Sequence, residues 1–127
     1  MRFWIFMLAT GLLFPAIMIP FGGIFMKSAP KKINRIFGYR TEMSMKNRDT
    51  WEFAHKYIGK LWLRFGLLLI PITVIPMLLV LGKNENVVGA VGLVVSFINT
   101  VVLIIPIFFT EKALSRAFDK DGRRKTE

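Results

Sequence analysis

Long stretches without any charged side chain constrain this sequence more than any other feature. No charged residue occurs from residue 3 to 26 or from 87 to 110, which are runs of 24 residues each. A third run, from Leu67 to Gly82, extends back through Leu61 with Arg64 as its single charge. A 24-residue helix is about 36 Å long, enough to cross a hydrocarbon layer of about 30 Å. Because lipid cannot satisfy backbone hydrogen bonds, the sequence predicts an all-α membrane protein, a single domain over residues 1–127 with transmembrane helices at about 3–26, 62–82 and 87–110.

The composition supports a membrane protein and excludes several classes of site. Hydrophobic residues make up 54% of the chain and charged residues only 20%, whereas soluble domains average roughly 45–50% and 25%. The chain has no Cys and one His, so a disulfide scaffold and a thiolate zinc site are excluded, and we expect no metal and no cofactor. No acid/base or nucleophile–base pair is evident, so we expect a non-enzymatic protein; a membrane enzyme using Glu111 or His55 is the weakest alternative.

Two features of the apolar runs leave alternatives open. The first run is longer than the usual 7–15 residues of a signal peptide core, and Lys27 stands where a cleavage site would need a small residue, so we expect it to be retained. Each run also contains proline, at positions 15, 20, 71, 76 and 106. Proline kinks helices, and such kinks serve helix packing or, alternatively, gating.

The distribution of basic residues predicts the orientation in the membrane. Ten of the 18 Lys and Arg residues lie between residues 27 and 64, and six lie in the tail, residues 111–127. One precedes the first run and one lies between the last two. The positive-inside rule therefore places the loop 27–61 and the C-terminus in the cytoplasm and the N-terminus outside. We attribute the net charge of +10 to contacts with anionic lipid headgroups, and we expect no nucleic-acid binding.

The loop 27–61 is long for a connection between neighbouring helices. Asp49 and Glu52 resemble a capping box that starts a helix. From Trp51 onward apolar residues recur every three to four positions, opposite a charged stripe that includes Lys56 and Lys60. The pattern predicts an amphipathic helix that lies in the cytoplasmic interface and runs into the second span or bends toward it at Gly59.

This loop resembles the SdpI/YfhL family of small bacterial membrane proteins. The residues that carry the resemblance are Asn34, Gly38, Tyr39, Arg40, Thr41, Ser44, Met45, Lys46, Asn47, Trp51, Ala54, His55, Gly59 and Lys60. His55 stands where the family often has Asn, and the chain matches a short, three-span form. The resemblance implies a multi-pass protein of the bacterial plasma membrane, with the motif residues in a cytoplasmic cap.

The resemblance also implies a function, because the best-known family member is an immunity protein against a secreted toxin peptide. We therefore expect protection against a membrane-active toxin peptide, with that peptide or a cytoplasmic regulator as partner. The alternative is a subunit of a small transporter or membrane complex that works as a homo-oligomer.

Several loop side chains have two interpretations. Arg40 is either ordinary cytoplasmic charge or a guanidinium that binds a carboxylate, a lipid phosphate or the loop backbone. We expect Trp51 and Trp62 to be interfacial anchors. His55 is expected to be a packed side chain, with pH sensing as the alternative. Asn34, Ser44 and Asn47 either satisfy turn backbone or face solvent.

The third span contains the only polar cluster at depth, Ser96, Asn99 and Thr100. We expect Asn99 to bond a neighbouring helix, with substrate binding as the alternative. Glu111 follows this span and is expected to pair with Arg40 or a loop lysine. We expect a helical tail from Glu111 to about Asp119 that ends near Gly122.

Overall fold

Three long helices form the fold. The computed structural model describes residues 1–34, 36 and 38–125. The helices are α1 (Arg2–Lys27), α2 (Arg48–Leu79) and α3 (Glu85–Ala117). Each is long and apolar enough to cross a membrane, by length and composition, and the shortest, with 26 residues, spans about 39 Å. Within the described residues the only β-pairing is an isolated bridge between Phe118 and Arg124. The prediction of an all-α chain with three potential membrane spans is confirmed.

The separate amphipathic helix is not found, because its residues form the first turns of α2. The capping box lies two residues earlier than predicted. The Asn47 side chain accepts a hydrogen bond from the Thr50 amide at 2.9 Å, and the Thr50 hydroxyl accepts one from the Asn47 amide at 3.1 Å. Asn is as good an N-cap as Asp, so the helix begins at Arg48, and Asp49 is left for another contact. The helix then continues through Gly59 without interruption.

The other boundaries differ from the predicted spans by a few residues. Helix α2 ends at Leu79, and the turn that follows contains Gly82 with φ of +82°. Asn84 caps α3 by accepting from the Val87 amide at 3.0 Å, which starts the helix two residues earlier than predicted. Helix α3 runs through Glu111 to Ala117, so the predicted helical tail is the last part of this helix rather than a separate element.

Helices α1 and α2 cross with their backbones in contact. A Cβ atom on Gly22 would lie 2.8 Å from the Gly59 carbonyl oxygen, and one on Gly59 would lie 2.7 Å from the Gly22 oxygen. Only glycine at both positions permits this approach. Gly23, by contrast, has open space where a Cβ would lie.

Both ends of the bundle are joined by side-chain contacts. At one end the Trp4 indole donates to the Met77 carbonyl at 2.7 Å. At the other end the end of α1 meets the start of α2, with the Phe25 and His55 rings 4.9 Å apart. The residue after α3 joins them, with the Phe53 and Phe118 rings 5.4 Å apart. We call this second end the basic end, because the described residues of the loop 28–47 and of the tail lie there.

Candidate functional site: the cap at the basic end

Residues 38–47 fold over the basic end of the bundle, and we call this segment the cap. It holds most of the family-like residues predicted from sequence. The predicted loop and tail also include Arg35, Phe37, Thr126 and Glu127, which lie outside the described residues. Asn34 lies before the cap, where its side chain accepts from the Ile36 amide at 2.9 Å in a local exposed turn.

His55 fixes the backbone of the cap to α2. Its Nε2 atom accepts a hydrogen bond from the Tyr39 amide at 2.8 Å, and its Nδ1 atom lies 2.8 Å from the Trp51 carbonyl oxygen. Since a carbonyl can only accept, Nδ1 carries the proton and Nε2 does not. The ring is fully buried. Both nitrogens are therefore engaged in the neutral imidazole, which serves as a buried acceptor for the cap.

Gly38 allows the cap to approach this imidazole. Its φ is +110°, a conformation that residues with a Cβ rarely adopt. A Cβ at this position would lie 2.7 Å from His55 Nε2. The glycine of the Gly-Tyr-Arg-Thr motif is thus required for two reasons, its backbone angle and the closeness of the ring.

Tyr39 and Thr41 join the cap to α3 through one carboxylate oxygen. The Tyr39 hydroxyl donates to Glu111 Oε2 at 2.5 Å, and the Thr41 hydroxyl donates to the same atom at 2.8 Å. The predicted pairing of Glu111 with Arg40 or a loop lysine is therefore replaced by contacts with these two hydroxyls. Burial, followed by the neighbouring carboxylate, raises the pKa of the Tyr39 phenol above its usual value.

Ser44 and Thr50 satisfy the backbone inside the cap. The buried Ser44 hydroxyl accepts from the Thr41 amide at 2.8 Å and lies 3.0 Å from the Tyr39 carbonyl oxygen, to which it can donate. The Thr50 hydroxyl lies 3.1 Å from the Ser44 carbonyl. No buried side-chain nitrogen or oxygen in the described part of the chain lacks a partner. The cap is therefore held by several internal hydrogen bonds and is not a loose connection.

Trp51 lies inside the protein, so the prediction that it is an interfacial anchor is wrong. Its side chain is fully buried, and its indole donates to the Pro30 carbonyl at 2.8 Å. Arg48 donates to the same oxygen at 3.0 Å and also to the Lys31 carbonyl. These contacts hold the chain where it leaves α1. Sequence periodicity placed Trp51 on an apolar face, but it could not show that the loop itself would cover that face.

The tail closes the cap from the other side, a contact that the sequence did not reveal. The side-chain amide nitrogen of Asn47 donates to the Gly122 carbonyl at 2.6 Å. The Arg124 guanidinium binds both carboxylate oxygens of Asp49 at 2.9 Å and lies 5.0 Å from the centre of the Phe118 ring. The turn at Gly122, with φ of +82°, returns the chain to reach these partners.

A cavity of about 420 Å³ lies between the three helices and the cap. The helices line it with Ile17, Phe21, Phe25, Ile58, Trp62 and Ile107. Residues 38–41 form its rim, where Arg40 is exposed. Trp62 is half-buried in the wall, and its indole donates to the Leu103 carbonyl at 3.4 Å. Other motif residues lie outside the cavity: Met45 is half-buried, Lys60 is exposed, and Gly59 lies in the helix crossing.

The polar residues predicted at depth do not form one cluster. Asn99 is fully buried and donates to the Gly11 carbonyl of α1 at 3.0 Å and to the Thr73 hydroxyl of α2 at 3.1 Å. Pro15 has no N–H, so the Gly11 carbonyl lacks its usual helical donor and is left for Asn99. Thr100 is exposed and donates to the Ser96 carbonyl on its own helix at 2.8 Å.

The described residues include no group of three or more His, Asp or Glu side chains placed to hold a metal ion. The basic end combines a hydrogen-bonded cap, one carboxylate that accepts from two hydroxyls, and an apolar cavity lined at one side by Arg40. This arrangement is suited to binding an amphipathic partner.

Comparison with known proteins agrees with the geometry. The profile of the SdpI/YfhL protein family matches residues 31–110. This range includes the whole cap and ends at Thr110, one residue before Glu111. An uncharacterised protein, YfhL of Bacillus subtilis (strain 168), is 32% identical over 119 residues, covering 90% of this chain and 98% of the relative. No solved structure matches the chain. With its three apolar helices, the chain is a multi-pass membrane protein that belongs to the SdpI/YfhL protein family.

Proposed function

We propose that this chain is a non-enzymatic membrane protein of the SdpI type that protects its cell against a membrane-active toxin peptide. The observation that carries the proposal is the family match over residues 31–110, which contains the cap in full. The resemblance implies immunity, and the structure supplies a suitable surface, a cap joined to α2 and α3 by hydrogen bonds.

The structure favours binding over transport. Asn99 and Thr73 are the buried polar side chains that link α3 to α2, and they bond to each other and to α1 backbone. Such a network stabilises helix packing. The alternative function, a subunit of an oligomeric transporter, would use these groups for a substrate, and it predicts loss of flux on Asn99→Leu.

We further propose that the basic end faces the cytoplasm, as the charge distribution predicts. The cap and the tail would then be accessible to a cytoplasmic regulator that responds to the toxin. Because the chain has no cysteine, single cysteines introduced at Arg2 and Lys125 would be background-free reporters. A membrane-impermeant thiol reagent added to intact cells should label position 2 and not position 125. Labelling of both positions would refute this orientation.

The function is tested by expressing the chain in cells that lack it and challenging them with a panel of membrane-active peptides. Expression should raise survival against at least one peptide, and Gly38→Ala, which disturbs the cap, should abolish the gain. Gly82→Ala is the matched control, since this glycine also has positive φ but has no neighbour within 4 Å of an added Cβ. Immunoblotting of membranes corrects for protein level. Equal sensitivity with and without the wild-type chain across the panel would contradict the proposal.

A further inference from the structure

The cavity at the basic end has the size and chemistry of a binding site for one small amphipathic molecule. Its volume of about 420 Å³ lies within the range of roughly 300–1,000 Å³ found for ligand sites. All the helix residues that line it are aliphatic or aromatic, and Arg40 lies exposed at its rim. A complementary molecule has an apolar body and an anionic head.

The hydrogen-bonding groups around the cavity favour a hydrocarbon chain over an extended peptide. The Trp62 indole donates to the Leu103 carbonyl, and the Tyr39 and Thr41 hydroxyls donate to Glu111. An extended peptide placed against these walls would bury backbone N–H and C=O groups without partners, at a cost of several kcal/mol per group (~2–7). An acyl chain carries no such groups, so its burial leaves no polar group without a partner.

The positive charge of Arg40 at the rim of the cavity favours a ligand with an anionic headgroup. The exposed Arg40 guanidinium carries five N–H donors, so it can bind a phosphate in addition to a partner within the protein. The basic end as a whole carries most of the Lys and Arg residues of the chain. Basic pockets between transmembrane helices are known sites for anionic lipid headgroups.

We propose that this cavity binds one anionic phospholipid, with an acyl chain between Phe21, Trp62 and Ile107 and the phosphate at Arg40. The site is independent of toxin protection, because it is occupied by a membrane component whether or not a toxin is present. It differs from general attraction to headgroups in being saturable and in requiring the cavity walls.

The test uses the purified full chain in mild detergent with phosphatidylglycerol that carries brominated acyl chains. Bromine quenches tryptophan fluorescence at short range. Trp62 lies in the cavity wall, Trp51 is fully buried at the same end, and Trp4 lies at the opposite end of the bundle. We expect saturable quenching, most of which is lost in Trp62→Phe and which is much weaker with brominated phosphatidylcholine. Arg40→Gln should weaken the apparent affinity by about tenfold, as expected for loss of a charge-assisted hydrogen bond.

Two matched pairs of variants separate the site from nonspecific effects. Ile17→Phe fills the cavity and should weaken binding, whereas Ile24→Phe, on the same helix and outside the cavity lining, should not; the two side chains are 48% and 54% exposed, so both are expected to fold. Lys83→Gln removes a charge at the opposite end and should leave binding unchanged. Nonsaturable quenching, equal affinity for both lipids, or a wild-type response in Arg40→Gln would overturn the proposal. A peptide that copurifies and resists displacement by phosphatidylglycerol would overturn it too.

Discussion

Replacing Gly38 by Ala should open the cap while leaving the helices intact. Two costs follow from the structure. The backbone angle of +110° strains a residue with a Cβ by about 1–2 kcal/mol. The added Cβ would also lie 2.7 Å from His55 Nε2, which displaces the Tyr39 amide and leaves a buried acceptor without a donor, at about 1–3 kcal/mol. Together the substitution should destabilise the closed cap by about 2–5 kcal/mol.

Gly82→Ala is the control that isolates the second cost. Its φ of +82° imposes similar backbone strain, but an added Cβ would meet nothing within 4 Å. The difference between the two variants in the free energy of global unfolding is therefore the hydrogen-bond term, about 1–3 kcal/mol.

Hydrogen exchange of the purified protein in detergent measures this opening. Amides of residues 38–47 should exchange faster in Gly38→Ala, by the factor that corresponds to the combined cost of about 2–5 kcal/mol. The exchange rates of amides in the helix interiors should not change. In Gly82→Ala the cap amides should exchange as in the wild type. Unchanged cap protection in Gly38→Ala, or equal loss in both variants, would refute the assignment of His55 as the acceptor that fixes the cap.

Three further predictions follow from named contacts. Because the pKa of Tyr39 is raised in the folded protein, the folded state holds its proton where the unfolded chain has lost it; stability should fall as the pH rises above about 10. Thermal unfolding between pH 8 and 11 should show this fall, and Tyr39→Phe should flatten it. Asn99→Leu removes bonds to two helices and should cost about 1–2 kcal/mol in denaturant unfolding, whereas Thr100→Val, at an exposed position, should cost under about 0.5 kcal/mol. Gly22→Ala should lower the melting temperature by forcing the crossing helices apart, whereas Gly23→Ala should leave it unchanged or raise it, since alanine favours helix by about 1 kcal/mol.

Each of these comparisons has a result that would contradict it. A pH dependence that persists in Tyr39→Phe would assign the loss of stability to another group. Equal effects of the two substitutions in α3 would mean that Asn99 contributes no more than a lipid-facing side chain. Equal melting temperatures for the two glycine variants would contradict the close crossing of α1 and α2.

The cap could be anticipated as a site but not as a structure. The resemblance selected Gly38, Tyr39, Thr41 and Ser44, and the structure brings them together. It did not reveal their partners, because His55 is 16 residues from Tyr39 and Glu111 is 72 residues away. Charge alone suggested Arg40 for Glu111. In the folded chain the Tyr39 and Thr41 hydroxyls reach the carboxylate instead, since the cap backbone is fixed by His55.

The sequence by itself determined that three apolar helices form, since residues 3–26 and 87–110 contain no charge and a chain in lipid must pair its own backbone groups. It did not locate the helix starts, because Asn47 and Asn84 supply the caps two residues before the predicted positions. Only the tertiary structure decided that the amphipathic segment continues into α2, that Trp51 is buried by the loop, and that the tail binds Asp49. Local patterns depend on neighbours a few positions apart, whereas these contacts depend on which surfaces meet when three helices pack.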